Sequence, residues 1–163
     1  MLKRFIWVII AIAIFTLPGL VNQALAVELT EEVRTVKLNP EGEQVVISLQ
    51  EAETGKKIFN DTCSQCHLGG RTKTNPNVGL RLEALEGAYP PRDNIIALVD
   101  YFQHPMTYDG EEDISLLHPN TDRSDIFSEM RNLTDADLKA VAGYILIQPK
   151  VRGVEWGGGK VYN

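Results

Sequence analysis

Two thiols and an imidazole stand within five residues of one another in the stretch Cys63-Ser64-Gln65-Cys66-His67. Two cysteines three apart, followed at once by histidine, have the spacing of a c-type haem attachment site. Each thiol adds across one haem vinyl group to give a thioether, and the adjacent imidazole reaches the iron from one face. Other chemistries suit the set less well. Zinc usually takes four ligands from Cys and His, and the chain has only 2 cysteines, both already in the motif. A redox Cys-x-x-Cys of the thioredoxin kind opens a helix inside a βαβ pattern, and no such pattern is evident. The motif therefore predicts one haem held covalently by Cys63 and Cys66, with His67 as the proximal iron ligand.

Such an iron has a second axial position, and the remaining candidates are His104, Met106, His118 and Met130. His104 falls at the end of a predicted helix, where an exposed imidazole is unremarkable. His118 follows Ile114, Leu116 and Leu117, apolar residues that can carry it inward, and Pro119 stiffens the backbone after it. Met130 lies in the loop before the last predicted helix. Periodicity leaves His118 and Met130 both open.

The elements that must position these groups are legible in part. The 163 residues are 44% hydrophobic and 23% charged, which fits one globular domain whose core a covalent haem would enlarge. Lys3 and Arg4 precede a charge-free run from Phe5 to Leu17, Pro18 and Gly19 break it, and Ala24-Leu25-Ala26 is a small-residue cleavage site. That order is a secretory signal peptide over residues 1–26, since a membrane anchor needs about 20 apolar residues. The mature chain is then expected to begin at Val27. The net charge of −6 becomes more negative without the basic leader, which argues against nucleic acid as a partner.

Residues 27–49 read as an N-terminal extension with a hairpin, and residues 50–163 as a haem domain with a C-terminal tail. Val36 and Leu38 alternate with Thr35 and Lys37, and Val45, Ile47 and Leu49 with Val46 and Ser48, around an Asn39-Pro40-Glu41-Gly42 turn. Ser48 with Glu51 makes a capping box that starts a helix to about Asn60, with Gly55 and Phe59 on one face. Asp93 is expected to cap a middle helix burying Ile95, Leu98, Val99 and Phe102, which Pro105 ends. Thr134 with Asp137 caps a last helix in which Leu138, Val141, Ala142 and Ile145 share a face. Gly143 and Tyr144 there would allow close approach of another helix. The run Asp109-Gly110-Glu111-Glu112-Asp113 lacks calcium-loop spacing and reads as a solvated acidic loop.

The first and last helices resemble the crossing terminal pair of class I cytochromes c, where a glycine and an aromatic meet. The segment Asn75 to Leu80 is similar to the one after the haem motif in that family, whose proline carbonyl accepts the ring N–H of the proximal histidine. Carried over, Pro76 would orient His67. A wider set is more specific: Thr72 to Pro76, Pro90 to Asn94, Thr107 to Glu111, His118-Pro119, Met130 to Thr134 and Trp156 to Tyr162. Together they resemble the cytochrome c-550 family, extrinsic haem subunits of cyanobacterial and algal photosystem II. The resemblance spans essentially the whole mature chain, departing at Asn163, where an aromatic terminus is expected.

The resemblance implies a mainly α, class I cytochrome c fold with an N-terminal β-hairpin extension. It implies one haem c with bis-histidine iron, His118 being the distal ligand and Met130 a neighbour of the haem. It implies a non-catalytic subunit in the thylakoid lumen, peripheral to the membrane, with the photosystem II core and other extrinsic lumenal subunits as partners. Its role would be to stabilise the oxygen-evolving manganese cluster and support calcium and chloride retention. The rival readings are a soluble electron-transfer cytochrome of the lumen or periplasm and a haem peroxidase. Two imidazoles favour ferric iron and hence a low potential, which suits an electron carrier to a photosystem poorly. For docking, Arg71, Lys73, Arg92, Arg131, Lys150, Arg152 and Lys160 are expected to form local ion pairs, and the tail Trp156 to Asn163 to become fixed only against a partner.

Overall fold

The computed structural model describes residues 28–158. The expected leader, residues 1–26, and the last five residues, with Lys160 and Tyr162 among them, lie outside the described residues. The described chain is mainly helical, with one small two-stranded antiparallel sheet.

Both capping boxes form, and they set the two principal helices. Helix α2, Leu49–Ile58, starts where Glu51 N–H donates to Ser48 Oγ at 3.1 Å and Ser48 N–H donates back to Glu51 Oε2 at 2.8 Å. Helix α6, Asp135–Arg152, starts on the same reciprocal pair between Thr134 and Asp137. It runs through Pro149 and ends at Arg152, with Gly153 as its C-cap. The two helices cross at Gly55, where an added Cβ would overlap the Ala140 carbonyl and lie 2.9 Å from Tyr144 Cβ. A glycine and an aromatic do meet there, yet the close approach belongs to Gly55. Gly143 faces Ile47 instead, 2.9 Å from where its own Cβ would stand.

The hairpin belongs to the same core. A short helix α1, Glu31–Arg34, which the alternation pattern did not foresee, is capped by Thr30 and leads directly into the sheet. Strand β1, Thr35–Lys37, pairs with β2, Gln44–Val46, in the register Val36↔Val45. The expected turn closes with Gly42 N–H on Asn39 O at 3.2 Å, and Gly42 adopts a φ of 90° that a side chain would resist. Val36 and Ile47 are buried among the helical residues, whereas Leu49 is 59% exposed. The alternation fails at Leu49 because Ser48 is already the helix cap, and the residue after a cap follows helical rather than strand periodicity.

Helix α4, Leu82–Glu86, and helix α5, Ile95–Gln103, complete the frame. The cap of α5 is Asn94, whose side chain accepts from Ala97 N–H at 2.9 Å. Asp93, expected in that role, is buried and ion-paired to Lys37 of β1, so it ties the middle helix to the hairpin. Ile95, Leu98 and Phe102 are buried as expected, with Val99 packed partly against them.

Candidate haem site

The last turn of α2 does not stop; it widens. Over Phe59–Cys63 the backbone forms a π turn, with Ser64 N–H donating to Phe59 O, and a four-residue helix α3, Ser64–His67, follows. Wide turns of this kind recur at functional sites because they re-aim successive side chains. Here Cys63, Cys66 and His67 all line one cavity of about 280 Å³. The rest of its wall is largely apolar, with Leu98, Tyr101, Phe102, Met130, Val141 and Ile145 contributed by α5, α6 and the segment between them. His118 closes the cavity from a different part of the chain.

Beyond His67 the chain makes a tight loop that the C-terminal segment clasps. Gly69 and Gly70 take φ of 64° and 80°, and Leu80 N–H returns to Gly70 O at 2.7 Å. Gly157 N–H donates to Gly69 O at 2.8 Å, and Trp156 Nε1–H to Leu80 O at 2.8 Å. Trp156 is 1% exposed and packs against the rings of Phe59 and Tyr144. For Trp156 and Gly157 this corrects the expectation that the tail is fixed only against a partner; its last five residues lie outside the described residues. The indole finds its apolar neighbours and its hydrogen-bond acceptor within the domain, so ordering it needs nothing else.

The two imidazoles reach the cavity with their tautomers set by geometry. Thr72 Oγ1 lies 3.1 Å from His67 Nδ1 and 2.5 Å from Val78 O. A carbonyl only accepts, so the single hydroxyl proton goes to Val78 and Nδ1 of His67 carries the hydrogen that Thr72 accepts. His118 Nδ1 lies 2.9 Å from Pro119 O, and the same reasoning puts its hydrogen on Nδ1. Each ring therefore keeps an unprotonated Nε2, the form in which imidazole binds a metal. The ring centroids are 6.2 Å apart. Two metal–nitrogen bonds of roughly 2 Å and the radii of two five-membered rings add to about 6 Å, which leaves room for one metal ion between them.

Burial pushes His67 down to about 4, with His118 adding a smaller effect, and burial also lowers His118. Both rings are thus neutral near pH 7. Burial pushes the Cys63 thiol up to about 12, which leaves it protonated and unsuited to thiolate redox chemistry. Two thiols, two neutral imidazoles and an apolar wall fit a covalently attached haem.

The other candidates fall on either side of the cavity wall. His104 lies outside the lining, exposed, with Nδ1 3.1 Å from Asp100 and Nε2 3.4 Å from Asp122. Met106 and Met130 line the cavity, and Met130 is 5% exposed. Pro76 is exposed in its turn and outside the lining; the hydrogen-bond partner that the resemblance implied for it is Thr72 instead. The acidic loop is solvated, and among the described residues no group of three carboxylate, His or Cys side chains is arranged to hold a metal ion.

Three residues that sequence reasoning did not assign to the site organise the His118 side. Asn120 is fully buried; its amide donates to Ser115 O and His118 O at 2.9 and 2.8 Å, and its carbonyl accepts from Arg123 N–H. Tyr101 meets the His118 ring edge-on at 5.0 Å. Arg92, expected on a docking surface, is buried, stacks 4.1 Å over Tyr101 and donates to the carbonyls of Met106 and Thr107. No local signal marks Thr72 or Asn120, because each acts on residues its own spacing does not reveal.

The cytochrome c-550 domain family matches residues 27–163. Photosystem II extrinsic protein V of Aphanothece halophytica is 61% identical over 163 residues, covering 100% of both chains. The crystal structure of cytochrome c549 superposes with a TM-score of 0.77 at 57% identity, covering 78% of this chain and 99% of that one. The PsbV2 cytochrome of Thermosynechococcus elongatus is more distant, with a TM-score of 0.65 and 34% identity over 76% of this chain and 87% of that one. The chain belongs to the cytochrome c-550 family.

Proposed function

We propose that the chain is an extrinsic, low-potential c-type cytochrome of photosystem II. Cys63 and Cys66 would hold one haem c by thioether bonds, and His67 and His118 would supply nitrogen ligands to its iron. The observation that carries the ligand assignment is the pair of imidazoles that line one cavity with centroids 6.2 Å apart, each with Nδ1 hydrogen-bonded to a neighbour. Bound there, the haem supplies a one-electron ferric/ferrous couple, which two imidazoles bias toward the ferric state. Met130 packs in the wall beside it.

The full-length similarity to a photosystem II extrinsic protein V supports the rest. Residues 1–26 act as the export leader. Residues 27–49 extend a class I cytochrome fold over residues 50–163. The mature protein sits in the thylakoid lumen, peripheral to the membrane, against the photosystem II core and other extrinsic subunits. It stabilises the manganese cluster and supports calcium and chloride retention without catalysing a reaction itself. No helix among the described residues is long and apolar enough to cross a membrane.

The test has two parts. Intact mass under denaturing acid should find the haem still attached, and the oxidised spectrum should be low-spin and indifferent to added ligands. His118→Met should keep the haem covalent and raise the potential, because thioether ligation favours ferrous iron. Photosystem II cores stripped of extrinsic subunits should then bind the protein in a salt-sensitive way and need less added calcium and chloride for oxygen evolution. Haem that extracts in acid overturns the site. Absence of binding at every salt concentration overturns the photosystem II reading and leaves the soluble carrier.

A further inference from the structure

The His67 side of the site holds a two-step relay: Nδ1–H of His67 donates to Thr72 Oγ1, and Thr72 Oγ1–H donates to the carbonyl of Val78. We propose that Thr72 is the positioning residue that sets the donor strength of His67, and with it the reduction potential. The inference rests on the haem reading above and deepens it.

Three observations carry it. First, the hydroxyl is buried and both its hydrogen bonds are inside the protein, so water does not substitute for either partner. Second, the backbone on both sides of Thr72 is fixed: Lys73 N–H donates to Cys66 O at 3.0 Å, and Arg71 N–H donates to Leu68 O at 3.4 Å. The far end of the relay is fixed as well, by Val78 N–H on Asn75 O at 3.1 Å. The relay is thus built into the loop that follows the motif. Third, its chemistry has a definite sign. A hydroxyl that is itself donating is polarised and accepts more strongly. Drawing the Nδ1 hydrogen toward Thr72 leaves more electron density on Nε2, which favours ferric iron and lowers the potential. Arg71 and Lys73 flank Thr72 but point their charges into solvent, so the neutral hydroxyl is what the imidazole meets.

Three holoproteins test this: Thr72→Val, Thr72→Ser and Thr72→Ala. Covalent haem and a low-spin oxidised spectrum are measured first in each. Thr72→Val, close in shape but without the hydroxyl, should raise the midpoint potential. Thr72→Ala should raise it in the same direction, and Thr72→Ser, which keeps the hydroxyl, should restore the parent value. In the unmodified protein the His67 Nδ1–H should exchange slowly with deuterium, and faster in Thr72→Ala. Parent potentials in Val and Ala variants that fold and remain low-spin would overturn the proposal, since a merely structural threonine changes stability and not potential. Should neither of those variants fold, rapid exchange of the ring hydrogen in the parent overturns it. An extractable haem or a high-spin parent spectrum would instead sink the haem reading beneath it.

Discussion

The two walls of the cavity are built in different ways, although each delivers one neutral imidazole. His67 stands in the attachment motif itself, carried by the π turn and α3 and steadied by a loop that Trp156 and Gly157 clasp from the other end of the chain. His118 stands in a stretch without regular helix or strand, held by Asn120, by its own N–H on Ile114 O, and by contacts to Tyr101. The first is positioned by secondary structure reinforced with tertiary packing. The second depends on one buried amide that satisfies three backbone groups. Next to His118, Leu117 is 82% exposed, whereas Phe59 and Trp156 behind the His67 wall are almost completely covered. The difference teaches that two imidazoles proposed for one role need not be equally secure. The His118 wall is the one that local disturbance should open first.

The strongest blow to this contrast is Trp156→Ala. It removes a buried indole, its hydrogen bond to Leu80 and its contacts with Phe59 and Tyr144, and should cost about 3–5 kcal/mol of stability in denaturant titration. The cost should fall on the whole domain, with the spectrum low-spin up to the unfolding transition. A spectral change well before unfolding would mean that the His67 wall is as labile as the other.

Asn120→Ala is the matched blow to the second wall. It leaves half-buried carbonyls of Ser115 and His118 without a donor and should cost roughly 1–3 kcal/mol. Here a high-spin component, or uptake of an added ligand, should grow below the global transition, because His118 is released locally. Coincident loss of ligation and fold would remove the asymmetry.

Met130→Leu probes the shared wall. Volume is nearly conserved, so stability should fall by less than about 1.5 kcal/mol, and the spectrum should stay low-spin. A high-spin product would make Met130 a ligand and His118 a bystander.

The smallest effect concerns pH and the frame common to both walls. Hydrogen bonds from Ser48 hold the Glu51 carboxyl below its ordinary value, and those from Thr134 do the same for Asp137. A carboxylate depressed on folding contributes stability that is fully present above its ordinary value and lost as pH falls through the folded value. Both groups are largely solvent-facing, so each should contribute roughly half a kcal/mol after screening. The double variant Glu51→Gln, Asp137→Asn should therefore lose less stability than the parent between about pH 6 and about pH 3.

The amino-acid sequence by itself determined what is local. The spacing of Cys63, Cys66 and His67 states its chemistry in five residues, and the capping boxes at Ser48 and Thr134 act within one turn. The turn at Asn39 to Gly42 and the buried face of α6 follow from short-range geometry in the same way. The family resemblance resides in further short motifs, His118-Pro119 among them, whose joint occurrence no single periodicity contains. Tertiary structure decided what depends on partners far along the chain. Trp156 reaches Leu80 across 76 residues, and Asp93 reaches Lys37 across 56, so neither pairing has a signature near either residue. That is why Asn94 rather than Asp93 caps α5, why Arg92 is buried instead of available for docking, and why Gly55 rather than Gly143 admits the crossing helix. It is also why Thr72, and not Pro76, holds His67: a hydroxyl gains that role only when a folded loop brings it between a ring nitrogen and a carbonyl.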